Sequence, residues 1–260
     1  MSAFLRATAL IARVHFVRSV KSKRGLMCLI FALLPVACAA LIAGAAHRAS
    51  PAMLATNFGW LMLLQIVVPL VALIAGSAVV AEEIEDRTIT YLFTRPIPRA
   101  ALLFGRWIAT VVLVEALLMV ATFLLLLACE RAHARVGPID EGIRAPLYSA
   151  VLLGALVYTG LFAALGAFFK HPMLVGIGYA FAVEGFLANL PGKNQSLTIQ
   201  FYLRSLIADG GSNAWHRLEG FTAIAFQSGQ RAFVTLVIVL VVALALGAWR
   251  ISTREFELTS

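Results

Sequence analysis

The chain has 260 residues, of which 61% are hydrophobic and only 13% charged, with a formal net charge of +8 and a mean hydropathy of +0.91. A soluble domain carries about a quarter charged residues, so a soluble enzyme or binding module is excluded and the apolar excess must face lipid. The positive charge is what the cytoplasmic loops of a membrane protein accumulate, and it implies no nucleic-acid partner.

From the N-terminus, residues 3–20 mix Phe4, Leu5, Leu10, Ile11, Val14 and Val17 with Arg6, Arg13 and Arg18. The pattern predicts a basic amphipathic helix lying in the inner headgroup layer, within a cytoplasmic stretch 1–25. The apolar run 26–46 exceeds the 7–15 residues of a signal-peptide core, so it reads as a retained span although Ala43-Gly44-Ala45 mimics a cleavage site. Further spans are expected at 60–81, 107–128, 147–169, 173–190 and 233–249, giving six. The fourth and fifth are separated only by Lys170-His171-Pro172, with Pro172 opening the next helix. Arg13, Arg18, Lys21, Lys23 and Arg24 cluster before the first span, which places both termini in the cytoplasm by the positive-inside rule.

The segment 82–106 is charged, neutral overall and broken by Pro96 and Pro98. As a helix, residues 82–93 put Ile84, Thr88, Tyr91 and Leu92 on one face, at i, i+4, i+7 and i+8. The prolines end that helix, and residues 100–106 restart one that feeds the third span. A short helix, a rigid corner and a second helix form a unit that transmits a push. The outer segment 191–232 is too apolar for a solvated loop. Ser196 can cap a helix bearing Leu197, Ile199, Phe201, Leu203, Leu206 and Ile207, with Asp209-Gly210-Gly211 ending it. One or two short helices resting on or dipping into the outer leaflet are expected there. No repeat or linker divides the chain, so residues 1–260 read as one all-α polytopic membrane domain.

Two carboxylates fall inside spans, Glu115 in the third and Glu184 in the fifth. Inserting one costs roughly 3 kcal/mol, which makes both candidates for a pathway or polar intramembrane role. The thirteen Leu, Ile, Val and Phe residues of span three contribute on the order of −6 kcal/mol and carry Glu115 regardless of partners. The eight in span five contribute on the order of −4 kcal/mol, which Glu184 nearly cancels, so that span needs neighbours. Ala163 and Ala167 in span four have small-x-x-x-small spacing, which suits close helix packing. The cysteines Cys28, Cys38 and Cys129 have no metal-ligand spacing. No H-E-x-x-H, no G-x-S-x-G and no G-x-x-x-x-G-K-[ST] occurs, so neither hydrolytic catalysis nor ATP binding is expected of this chain.

The run Glu83, Glu85, Thr88, Tyr91, Leu92, Arg95, Pro96, Arg99, Gly105 and Arg106 resembles the E-x-E-x-x-T and R-P-x-x-R pattern between the second and third spans of the permease subunit of ABC-type exporters. It departs from many members in having Arg87 before the Thr where they have Gly. The six-span plan, the N-terminal interfacial helix and the segment before the last span extend the resemblance along essentially the whole chain. The resemblance implies that 82–106 carries a cytoplasmic coupling helix that docks into a groove of a separate ATPase subunit, through Glu83, Ile84, Thr88, Tyr91, Leu92, Arg95, Pro96 and Arg99. It further implies ATP and magnesium on that partner and no cofactor on this chain. A second permease copy, identical or paralogous, and a place in a bacterial inner membrane are also implied. An ion-coupled carrier using Glu115 or Glu184 and a non-transporting membrane scaffold are the other readings.

Overall fold

A computed structural model describes residues 2–45, 50–80, 99–132, 139–189, 193–210, 215 and 226–253. The described residues form helices and turns, with no strand among them. We number the helices α1 (Ser2–Val20), α2 (Lys23–Ala45), α3 (Pro51–Val80), α4 (Arg99–Ala132), α5 (Glu141–Phe168), α6 (Pro172–Phe186), α7 (Ile199–Gly210) and α8 (Gly229–Thr253).

Five of them, α2, α3, α4, α5 and α8, are long and apolar enough to cross a membrane. The expected fifth span, 173–190, is instead a shorter helix of seven α-helical and eight π-helical residues. At about 1.5 Å per residue it rises on the order of 20 Å, short of the ~30 Å hydrocarbon layer. Helix α7 continues along helix α5 where α6 ends. Gly176 of α6 faces Phe162, Leu203 of α7 faces Gly154, and Gly210 faces Pro146, so the two short helices climb α5 from its C-terminal to its N-terminal part. What reads as one weak span and one outer helix is thus a broken path of two half-length helices. Irregular backbone at this depth is tolerated because α3 and α5 cover it.

The burial pattern separates inner from outer helices. In α3 and α5, 78% and 72% of the most apolar window is buried, against 22% in α2, 39% in α4 and 33% in α8. Helix α2 buries a stripe of Cys28, Ala32 and Ala39 while Leu26, Met27, Ile30 and Leu41 face outward. Small residues inward and large apolar ones outward is the arrangement expected where lipid is the solvent. The core gathers Leu63, Leu64, Leu147, Tyr158, Phe162 and Leu203 from α3, α5 and α7. Gly176 allows α6 to approach α3, since a Cβ there would sit 2.2 Å from Leu73 Cδ1. Ala163 and Ala167 bury against Val79, Val80, Leu103 and Ile251, so their small-residue spacing packs helices within this chain.

One end of the bundle, here the basal end, holds α1, the start of α4 and the ends of α3, α5 and α8. Helix α1 does not lie free there. Gly105 of α4 lets it approach closely: a Cβ at that position would be 2.8 Å from the Thr8 carbonyl oxygen. The inward face of α1 sets two buried polar side chains, Thr8 and His15, beside Ile11, which packs on Gly105, and His15 Nε2 lies 3.3 Å from the hydroxyls of both Ser19 and Thr110. Its outward face mixes Leu5, Leu10, Val14 and Val17 with Arg6, Arg13 and Arg18. A sharp corner joins it to α2, where the Ser22 hydroxyl accepts from the Gly25 N–H at 3.0 Å as an N-cap. At the opposite end, Glu130 ties α4 to α5 by an ion pair with Arg144 and by accepting the Ile139 N–H at 2.9 Å.

Candidate functional site

The break between α6 and α7 gathers buried polar side chains, Glu184, Thr198, Gln200 and Arg204, at one place in the interior. Helix α7 begins in the core, where its first N–H groups have no partner within the helix. Three are met by side chains. Glu184 Oε1 accepts the Ile199 N–H at 2.9 Å, Glu184 Oε2 accepts the Gln200 N–H at 3.0 Å, and the Thr198 hydroxyl accepts the Phe201 N–H at 3.2 Å. Thr198, and not the expected Ser196, is therefore the N-cap residue. Ser196 serves through its backbone carbonyl, which accepts from the Tyr202 hydroxyl at 2.8 Å. The helix dipole places partial positive charge where Glu184 places its carboxylate.

The rest of the cluster closes around that carboxylate. The Tyr179 hydroxyl donates to Glu184 Oε1 at 2.7 Å. The Tyr158 hydroxyl faces the same carboxylate and the Gln200 amide without meeting the geometry of a hydrogen bond to either. Gln200 Nε2 donates to the Leu64 carbonyl at 2.8 Å, and Arg204, one turn along α7, donates to the Ala188 carbonyl at 3.2 Å. The Arg204 guanidinium also stacks over the Trp60 ring, 4.7 Å from its centroid, within electrostatic reach of Glu184. Two wide-turned helical stretches flank this point, Phe58–Val67 in α3 and Tyr179–Phe186 in α6. Such π-helical backbone is rare and concentrates at functional positions. Glu184 is 1% exposed, with its oxygens engaged by three donors, so the arrangement holds two half-helices in register.

The depth of the cluster follows from α5. Tyr158 stands ten residues from the last residue of that helix, Phe168, and seventeen from the first, Glu141. At about 1.5 Å per residue the cluster sits roughly 15 Å from one end and 26 Å from the other, well inside an apolar layer. Sequence reasoning named Glu184 but not Thr198, Gln200, Arg204, Tyr179, Tyr158 or Trp60. A signal was present, because Gln200 and Arg204 stand four apart in an otherwise apolar stretch and so share one helix face.

Glu115 is not brought to this cluster. It projects from the middle of α4 with both carboxylate oxygens buried and no hydrogen-bond partner among the described residues. Of the docking residues expected on the charged segment, Glu83, Ile84, Thr88, Tyr91, Leu92, Arg95 and Pro96 lie outside the described residues, and Arg99 is the first residue of α4. The two helices that flank the segment are joined directly. Arg106 is buried, and its Nη1 donates to the Val79 carbonyl near the end of α3 at 3.0 Å. Among the described residues no three His, Cys, Asp or Glu side chains lie close enough to hold a metal ion.

The family model for an ABC-2 family transporter protein matches residues 9–256 of this chain, nearly its whole length. No curated protein matches it.

Proposed function

Because the chain belongs to the ABC-2 family of transporter proteins, and is thus a multi-pass permease component of an ABC transporter, we propose that it forms the membrane pathway of an ATP-driven exporter. In this reading two permease copies face one another, and ATPase subunits dock on the segment 82–99 at the cytoplasmic side. Closing of the ATPase pair pushes the segment and tilts α3 and α4.

The observation that carries this reading is the Arg106–Val79 bond. It straps together the two helices that enter and leave the charged segment, and α1 is fastened to the same helix α4 at Gly105 and Thr110. A force on the segment therefore reaches α1, α3 and α4 as one body, as a coupling device requires. The cytoplasmic assignment of that end is supported by its basic residues, among them Arg6, Arg13, Arg18, Lys21, Lys23 and Lys170. The broken path through Glu184 supplies an element beside α3 that can follow such a movement.

The test is co-purification of the tagged chain, in mild detergent, from the cells that make it. The expected result is a Walker-motif ATPase that accompanies the wild-type chain and is lost with Tyr91→Ala and Arg95→Ala. An ATPase held equally well by both variants would overturn the docking site. Its absence from preparations that retain other membrane complexes would overturn the partner itself.

A further inference from the structure

At the basal end, where α5 turns into α6, the described helices leave a partly open cavity of about 270 Å³. Its walls come from three parts of the chain that are distant in sequence. Arg24 and Met27 belong to the first turns of α2, Ser77 lies near the end of α3, and Lys170, His171 and Leu174 come from the α5–α6 turn and the start of α6. The volume is many times the roughly 10–15 Å³ that admits one water, yet below the ~300–1,000 Å³ of a pocket for a drug-sized ligand.

The chemistry of the lining is divided. On the polar side are two cationic side chains, an imidazole and the buried Ser77 hydroxyl. On the outer rim stand Met27, Met173 and Leu174, exposed large apolar side chains close to the ends of their helices. Trp249, exposed in the last turns of α8, and the neighbouring Arg250, whose guanidinium stacks on Phe168, lie at the same end of the bundle. Trp side chains concentrate where the headgroups begin. A cationic recess with an apolar rim suits a ligand that is anionic at one end and hydrocarbon at the other, and basic pockets between membrane helices recognise acidic headgroups.

We propose that this cavity binds one anionic phospholipid, with its phosphodiester beside Lys170, His171 and Ser77 and its acyl chains running down the Met27 and Leu174 surfaces. The lipid bridges α2, α3 and the α5–α6 turn at the mouth of the broken path. A lipid is favoured over a free phosphate because Met27, Met173 and Leu174 line the recess as exposed apolar side chains, which a free anion would leave uncovered.

The test uses the full-length chain in mild detergent, titrated with short-chain phosphatidylglycerol, phosphatidylcholine of equal chain length and glycerol phosphate, with bound molecules counted by native mass spectrometry. Phosphatidylglycerol is expected to bind about tenfold more tightly than phosphatidylcholine, and K170Q/H171Q to remove most of that preference. Met173→Trp, which fills the recess without changing charge, is expected to weaken phosphatidylglycerol as well, whereas Arg231→Gln, a charge lost at the far end, leaves it unchanged. Melting temperatures of the variants within a few degrees of wild type establish that they are folded. Unaltered phosphatidylglycerol binding by K170Q/H171Q, or equal binding of the two lipids, would overturn the site. Glycerol phosphate competing as well as the short-chain lipid would overturn the lipid as its occupant.

Discussion

Glu184 Oε1 accepts the backbone N–H of Ile199 at 2.9 Å across a gap of fifteen residues, so a carboxylate of one half-helix caps the next. Oε2 of the same side chain takes the Gln200 N–H. The carboxylate satisfies backbone that lipid could not, which explains how an acidic residue is retained in a short apolar helix.

The first prediction concerns this cap. Glu184→Ala leaves the Ile199 and Gln200 N–H groups buried without acceptors, and each such loss costs about 1–3 kcal/mol. Glu184→Gln keeps one acceptor oxygen but turns an NH2 toward an N–H donor, so it is expected to fall between alanine and wild type. Tyr179→Phe removes a single donor and is expected to cost about 0.5–1.5 kcal/mol. Melting temperatures followed by size-exclusion chromatography in detergent should rank as wild type, Y179F, E184Q, E184A. An E184A variant as stable as wild type would show that the cap is dispensable.

A second prediction follows from the closeness of α6 to α3. A methyl group on Gly176 would collide with Leu73 and press on Phe162, and overpacking of this kind typically costs 1–3 kcal/mol. Gly176→Ala is expected to lower the melting temperature, and Leu73→Ala to lower it by leaving a void. The double variant should lose clearly less than the two losses added together, because the methyl enters the space the leucine vacates. Simple additivity would mean that the two positions do not touch.

The third concerns pH. His15 is buried between α1 and α4, and its pKa is lowered from 6.5 to about 4, chiefly by burial and then by the positive charges of Arg106 and Arg18. The unfolded or undocked form thus binds the proton more readily than the docked one, and stability rises with pH across this range. The docking of α1 should be fully present above about pH 6.5 and weaken progressively toward pH 4, by an amount on the order of 3 kcal/mol. His15→Gln should flatten that dependence. Limited proteolysis near Lys21, between pH 7.5 and 4.5, reads the docking directly. An equally steep profile in the variant would assign the pH response to other groups.

Glu115 gives the opposite expectation to Glu184. With neither oxygen hydrogen-bonded among the described residues, replacing it by Leu removes an unsatisfied buried polar group, while Gln removes only the ionisable one. In the isolated chain the melting temperature should hold or rise, by the equivalent of about 1–3 kcal/mol for Leu. A marked loss of stability would mean that a group beyond the described residues holds the carboxylate.

Composition and hydropathy by themselves determined that this chain is an all-helical membrane protein, because lipid imposes a length and an apolar content that few sequences meet by accident. The five long helices lie where their apolar runs are, and the motif around Arg95 and Pro96 led to the family that the match over residues 9–256 establishes. What the sequence did not reveal was everything that depends on who covers whom. The expected fifth span, 173–190, became a half-length helix paired with α7 because Glu184, Thr198 and Gln200 find partners only when α3 and α5 surround them. Helix α1 presents Thr8 and His15 inward because α4 offers Thr110 and the bare backbone at Gly105, a contact across some ninety residues that no local periodicity encodes. Hydrophobicity is a property of each residue and is summed along the chain. The satisfaction of a buried polar group depends on a partner elsewhere, and only tertiary packing decides it.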